Sequence, residues 1–241
     1  ETSNEWRNEE YGFEYCDEGS GNYECLSSGD PCRLGNVCIE ATNICTPFGD
    51  DLDIVVTNLD SNNVSIFLGN GDGTFQTAAN YDVGSEPYSV ITKDFNGDSA
   101  LDLAVANLYS NDVSILLGYG DGTFQAAVNY DVGSEPFSVT AEDFSGDNAL
   151  DLAVAKLGSN DVSILLGNGD GTFQTMVTYD TGVAYSIATG DLNGDGALDL
   201  AIANALSNQI SVLPGNGDGT FQAKTEYAAG IGPYSIATDD L

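Results

Sequence analysis

The chain is 241 residues long and carries 38 acidic side chains against 5 basic ones, a formal charge of −33. That balance argues against nucleic-acid binding, which needs Lys and Arg to neutralise phosphates, and against attraction to anionic membrane surfaces. Histidine is absent, which removes His-containing triads, His general bases and His-ligated zinc.

No apolar run approaches the roughly 18 residues that a membrane helix needs, so no membrane insertion is expected. The sequence opens at Glu1-Thr2-Ser3 and not on a signal peptide, so secretion implies a targeting segment already removed. The hydrophobic fraction is 41% and the acids are spaced rather than blocked, which argues for a folded chain over a disordered one. So many carboxylates need partners, and a divalent cation is the obvious one.

Residues 1–46 form a first, non-repeating segment that holds all five cysteines: Cys16, Cys25, Cys32, Cys38 and Cys45. Five cysteines separated by Gly, Ser, Asp and Asn read as a small disulfide-stapled arm from an oxidising compartment. A zinc site would want a Cys-x-x-Cys or a histidine, and neither is present. The spacing suggests two bridges among Cys25, Cys32, Cys38 and Cys45 with the connectivity open, and leaves Cys16 either buried or intermolecular.

Residues 47–241 are four units of one pattern. Gly-x-Gly-Asp-Gly-Thr-Phe-Gln begins at Gly69, Gly118, Gly167 and Gly215, and a Leu-Asp pair falls at Leu52, Leu101, Leu150 and Leu198, both at spacings of 49, 49 and 48 residues. Within one unit four extended segments are predicted: Tyr88–Asp94, Leu101–Leu108, Val113–Gly118 and Gln125–Val132. Each is rich in Val, Ile, Leu, Thr or Tyr and is bounded by Gly, Asn, Asp or Pro, the punctuation of strands. No segment carries apolar residues at helical spacing, so the fold class is all-β.

In Leu101–Ala106 one face carries Leu, Leu and Val and the other two alanines after the aspartate. Apolar or small residues on both faces predict sheets covered on both sides. Radially packed four-stranded blades of a β-propeller meet that requirement; a β-solenoid is the competing repeat architecture. The repeats begin at a second strand, Leu52–Leu59, and end on a first strand, Tyr234–Thr238, so the carboxy-terminal strand is expected to complete the first blade. It either closes its own ring, or adds to the next molecule in head-to-tail assembly, or belongs to a larger ring.

Between first and second strands lies an acidic loop, fullest at Asp191-Leu192-Asn193-Gly194-Asp195-Gly196-Ala197-Leu198-Asp199. Side-chain oxygens at positions 1, 3, 5 and 9 (Asp191, Asn193, Asp195, Asp199), with the carbonyl of Ala197 at position 7, suit a hard cation of calcium's size. The equivalents are Asp94, Asn96, Asp98, Ala100 and Asp102 in one loop, and Asp143, Ser145, Asp147, Ala149 and Asp151 in another. Three complete Ca2+ sites are therefore expected. A fourth would cross the chain-end seam, from Asp240 to Asp50 and Asp53. Magnesium fits less well, since it demands strict octahedral geometry.

The second acidic turn, with Asp72, Asp121, Asp170 and Asp218, is expected to be structural, because Asn-Gly and Asp-Gly supply the positive φ of tight hairpins. Tyr81, Tyr130, Tyr179 and Tyr227, with Phe75, Phe124, Phe173 and Phe221, recur once per unit and are expected to pack between blades. Asn63-Val64-Ser65 is the single glycosylation sequon, expected on an exposed turn.

The strings Asp-Phe-Asn-Gly-Asp-x-x-Leu-Asp-Leu-Ala-Val-Ala and Leu-Gly-Asn-Gly-Asp-Gly-Thr-Phe-Gln resemble FG-GAP/VCBS repeats. These are calcium-binding propeller blades also found in integrin α-subunit heads and in fungal and bacterial lectins. The resemblance covers about four-fifths of the chain and implies a calcium-binding propeller; family members commonly have seven blades, where this chain has four units. It leaves function open, since one fold serves many. No constellation breaks the repeat symmetry as an active site would, so no enzyme is expected. The expected function is an extracellular, cell-surface or secreted adhesion or self-assembling structural module, with other subunits or surface glycans as partners. A lectin, or an accessory domain of a secreted polysaccharide-acting enzyme, is the alternative.

Overall fold

The computed structural model describes residues 36–39, 44–47 and 52–240. Cys16, Cys25, Cys32 and Asp50 lie outside the described residues, as does most of the expected arm. The chain divides into two compact units, Glu1–Ile54 with Phe67–Thr77, and Val55–Ile66 with Ala78–Leu241. In the first, strands β1 (Asn36–Ile39) and β2 (Ile44–Pro47) pair antiparallel, and Gly69 bridges to Phe75 across the first Gly-x-Gly-Asp-Gly turn.

Each repeat makes its own antiparallel sheet. β3 (Ile54–Asn58), β4 (Asn63–Phe67) and β5 (Ala79–Asp82) form a three-stranded one. Four-stranded sheets follow in simple meander order. They are β6 (Pro87–Lys93) to β9 (Val128–Asp131) through β7 (Asp102–Asn107) and β8 (Asp112–Leu116), and β10 (Pro136–Glu142) to β13 (Val177–Asp180) through β11 (Asp151–Lys156) and β12 (Asp161–Leu165). The last runs from β14 (Ser186–Gly190) through β15 (Asp199–Asn204) and β16 (Gln209–Leu213) to β17 (Thr225–Ala228). The predicted strands of the second unit thus lie within two or three residues of those found, and the described residues contain no helix.

Coverage on both faces is also as expected. Every residue of β7, β11 and β15 is buried. Leu152 and Val154 of β11 join one apolar cluster with Ala104, Ile115 and Val139; Ala153 and Ala155 join another with Ile187, Leu200 and Ile202. The alternation of large and small side chains therefore sets the sheet spacing: alanines face one neighbour where branched residues face the other, which keeps the interior at close-packed density.

The first strands of successive sheets lie side by side, β10 between β6 and β14. Register shifts at Pro87/Ser89 and Pro136/Ser138 leave Tyr88 and Phe137 out of the ladder, and such bulges re-aim a side chain. Tyr88, Phe137, Tyr185 and Tyr234, one per repeat, consequently meet in one aromatic cluster. Ring centroids stand 4.2 Å apart for Tyr88–Phe137, 5.6 Å for Phe137–Tyr185, 5.0 Å for Tyr185–Tyr234 and 6.1 Å for Phe137–Tyr234.

Among the described residues, the expected pairing of the carboxy-terminal strand with the first sheet is not formed. That sheet has three strands, and residues 234–238 have no strand ladder. The segment instead repeats the relation of β10 to β6. The Ile236 N–H donates to Ser186 Oγ at 3.4 Å, as the Val139 N–H does to Ser89 Oγ at 3.4 Å. Contacts with β14 and the aromatic cluster place it beside β14, with no ladder partner among the described residues.

Candidate metal loops and the latch beneath them

Each acidic loop is folded on its own main chain. Asp94 Oδ1 accepts from the Gly97 N–H at 2.7 Å and Oδ2 from the Ser99 N–H at 2.8 Å; Asp98 Oδ1 accepts from the Ala100 N–H at 2.8 Å, and Asn96 Oδ1 from the Asp98 N–H at 2.9 Å. Asp143 and Asp147 repeat the pattern with Gly146, Asn148 and Ala149, as do Asp191 and Asp195 with Gly194, Gly196 and Ala197. Ser145, the odd third ligand, donates its hydroxyl to Asp143 Oδ1 at 3.4 Å. These are Asx-type turns, in which a short acid side chain stands in for a main-chain acceptor.

The ninth-position aspartates do something the spacing did not announce. Asp102, Asp151 and Asp199 are buried. Asp151 Oδ2 accepts from the N–H groups of Phe144 and Ser145 at 3.0 and 3.1 Å, and Oδ1 from the Gly167 N–H at 2.8 Å. Asp102 links Phe95 to Gly118, and Asp199 links Leu192 to Gly215, in the same way. One carboxylate thus ties the acidic loop to the start of the Gly-x-Gly-Asp-Gly turn. Burial is the largest influence on Asp102 and Asp151 and pushes both carboxyls above their ordinary value, with the main-chain N–H groups opposing it.

That turn then grips the preceding repeat. The Gly171 N–H donates to the Phe95 carbonyl at 3.0 Å, and the Gly219 N–H to the Phe144 carbonyl at 2.9 Å. Phe173 packs edge-on to Phe95 and Tyr130, and Phe221 to Phe144 and Tyr179; Tyr81 meets Phe124 likewise. The recurring aromatics pack between repeats as expected. At the two ends of the series Phe75 and Tyr227 are exposed.

The donors of each loop are chemically right for a hard cation: three carboxylates, an amide or hydroxyl oxygen, and no nitrogen or sulfur ligand. A carboxylate offers about four lone-pair sites, so one or two N–H partners per oxygen leave capacity for a metal. Among the described residues, however, no three acidic side chains converge as a metal cage. Asp53 accepts from the Gly69 N–H at 2.8 Å, as its counterparts do from Gly118, Gly167 and Gly215. Asp240 is exposed, its N–H donating to Asp239 Oδ1 at 2.9 Å.

The hairpin aspartates serve the turn. Thr74 donates both its hydroxyl and its N–H to Asp72 Oδ1, at 2.6 and 2.9 Å, and Thr123, Thr172 and Thr220 bond Asp121, Asp170 and Asp218 in the same way. The threonine hydroxyl is the main cause that holds these four carboxyls below their ordinary 3.8. A lowered folded pKa contributes stability that is present above 3.8 and lost as pH falls through the folded value. The triple variant Thr123→Val, Thr172→Val, Thr220→Val is therefore expected to melt below wild type at pH 7. Melting curves across an acid series should show the gap closing as the acids protonate, and a gap independent of pH would refute the assignment.

Two further placements bear on the repeats, and the second differs from the exposed turn expected of Asn63. Lys156 is 1% exposed, with Nζ 2.9 Å from Asp161, and occupies the place of Asn58, Asn107 and Asn204 in the other repeats. Asn63 heads β4 half-buried, its Oδ1 accepting from Asn58 Nδ2 at 2.8 Å, and so does not sit on an open turn.

A family model for the FG-GAP-like repeat matches residues 50–105, 94–154, 143–202 and 191–241. Among solved structures, a putative 6-phosphogluconolactonase from Bacteroides uniformis is 18% identical, with a TM-score of 0.61 over 77% of this chain and 57% of that one. A functionally unknown protein from Desulfotomaculum acetoxidans is 14% identical, with a TM-score of 0.53 over 80% of this chain and 68% of that one. BBS1N, solved in complex with ARL6DN, is 15% identical, with a TM-score of 0.53 over 79% and 56%. The chain thus spans a little over half the length of the first and third of these. At such identities the likeness is one of fold alone. No curated protein matches the chain.

Proposed function

The chain belongs to the FG-GAP-like repeat family, and on that premise we propose that it is a non-enzymatic, calcium-binding, propeller-like interaction or self-assembling module that works outside the cell. The observation that carries the calcium reading is the threefold recurrence of one oxygen-donor loop, each anchored by a buried aspartate. Ca2+ would be held by Asp94, Asn96, Asp98, the Ala100 carbonyl and Asp102, and by the matching residues of the next two loops. It would supply the positive charge that a buried carboxylate otherwise lacks. The chain's own residues contribute the fixed turns and the rigid strand ends. The cysteine-rich first segment supports an oxidising, extracellular setting.

Calorimetric titration with Ca2+ tests this: about three equivalents should bind, and Asp98→Asn, Asp147→Asn, Asp195→Asn together should abolish uptake. At a free concentration of 1,000 Kd each site would stabilise the fold by about 4 kcal/mol. A melting temperature indifferent to both Ca2+ and chelator would sink the reading.

Completion of the three-stranded sheet by Tyr234–Thr238 belongs to the same proposal, within one chain as ring closure or between chains as head-to-tail assembly. Light scattering in Ca2+ separates a compact monomer from a ladder of masses. A second reading has one observation in its favour. Clefts of about 280 and 260 Å³ recur between consecutive sheets, the first beside Tyr130, Asp131 and Gln174 and the next beside Tyr179, Asp180 and Gln222. Repeated polar and aromatic clefts suit multivalent glycan binding, which a glycan array would reveal.

A further inference from the structure

The register of the β1–β2 hairpin pairs Asn36 with Pro47, Val37 with Thr46, Cys38 with Cys45, and Ile39 with Ile44. Two of the five cysteines therefore stand directly opposite each other on neighbouring antiparallel strands. Directly opposed residues have Cα atoms about 4.5 or 5.5 Å apart, according to whether the pair is hydrogen-bonded, and they share a face of the ladder. Both distances fall inside the roughly 4.4–6.8 Å that a disulfide spans. Sequence spacing alone left all pairings among Cys25, Cys32, Cys38 and Cys45 open; the hairpin register selects one.

We propose that Cys38 and Cys45 form a cross-strand disulfide that locks β1 to β2. The bond forms by thiol–disulfide exchange with a disulfide oxidant, either glutathione disulfide or an oxidoreductase. The thiolate of one cysteine attacks the oxidant's S–S bond to give a mixed disulfide. The thiolate of the other then displaces the oxidant's remaining thiol. The two thiols lose two protons to solvent and two electrons to the oxidant, which leaves as two thiols. Cys16, Cys25 and Cys32 remain, enough for one further bridge and one thiol left over. That odd thiol is then among these three, whichever of them pair.

The extracellular reading supplies the oxidant in the organism, but the pairing can be tested without it. The full chain is refolded in a glutathione redox buffer, alkylated, and digested without reduction by trypsin and a Glu-specific protease. Cleavage after Arg33 and Glu40 isolates Cys38 in residues 34–40 and separates it from Cys25, Cys32 and Cys45. The expected product is that heptapeptide joined to the fragment carrying Cys45, two hydrogens lighter than the sum and separating on reduction. Linkage of the heptapeptide to a fragment carrying Cys16, Cys25 or Cys32, or its recovery in alkylated form, would overturn the pairing. In a Cys38→Ser variant, Cys45 should become the one additional thiol that a maleimide labels; an unlabelled Cys45 there would equally refute it. Either result leaves the calcium and interaction reading untouched.

Discussion

Gly167→Ala is expected to destabilise the protein by about 3–5 kcal/mol, the range of a severe overpacking, and to lower its melting temperature by roughly 10 °C. The residue opens the third Gly-x-Gly-Asp-Gly turn, and a Cβ there would drive into the carbonyl oxygen of Leu150, closer than any real Cβ approaches. That carbonyl belongs to the residue just before Asp151, whose carboxylate accepts the Gly167 N–H. The turn therefore cannot back away without breaking the bond that holds it. Gly118 and Gly215 stand against Leu101 and Leu198 in the same way.

Two further alanines separate contact from backbone strain at another position of the same motif. Gly171 and Gly73 both have positive φ, +81° and +85°, but a Cβ on Gly171 would lie 2.7 Å from Leu117 Cδ2, whereas one on Gly73 would meet nothing within 4 Å among the described residues. Gly73→Ala should cost about 1 kcal/mol, the left-handed strain alone. Gly171→Ala should cost that plus the displacement of Leu117 from the neighbouring repeat. Thermal melts of the three variants order them as Gly167, Gly171, Gly73. Equal losses at Gly171 and Gly73 would mean that the grip between repeats is weak.

Removing the Asp151 carboxylate is the second large effect. In Asp151→Ala three main-chain N–H groups lose their acceptor, each at about 1–3 kcal/mol when left buried and unpaired. Release of a buried charge offsets part of this, for a net loss of about 3–5 kcal/mol. Asp151→Asn keeps the shape and one acceptor oxygen but sets an NH2 against a donor, so about half that loss is expected. The comparison belongs in chelator, where cation binding plays no part. Were Asn as damaging as Ala, charge and not acceptor geometry would be the source of the stabilisation.

The four units, the all-β class and the strand positions were legible in the sequence, because each depends on periodicity that local chemistry enforces. Alternation of Leu and Ala in Leu101–Ala106 can only suit a sheet covered on both faces, and β7 is buried at every position. The Thr-Asp pairing of the hairpins is likewise local, since a threonine two residues beyond an aspartate reaches it in any such turn. Lys156 is the counterexample. Its burial follows from the pocket that Asn58, Asn107 and Asn204 define in the other repeats, where a longer chain reaches Asp161 across the turn. Nothing within its own strand signals this.

The sequence by itself also determined which residues form the acidic loops, for the nine-residue spacing is fixed by the turn and by the strand that follows. Only the tertiary structure decided what the ninth aspartate does there. Its partners Phe144 and Gly167 lie seven and sixteen residues away on opposite sides in sequence, and only the meander brings both N–H groups to one carboxylate. The same holds for Tyr88, Phe137, Tyr185 and Tyr234. Each is one aromatic per repeat, and they become a cluster because successive first strands pack side by side, two bulges turn rings out of their ladders and residues 234–238 lie against β14. Spacing along the chain records what neighbours in sequence must do, whereas contacts between repeats are set by how the sheets stack.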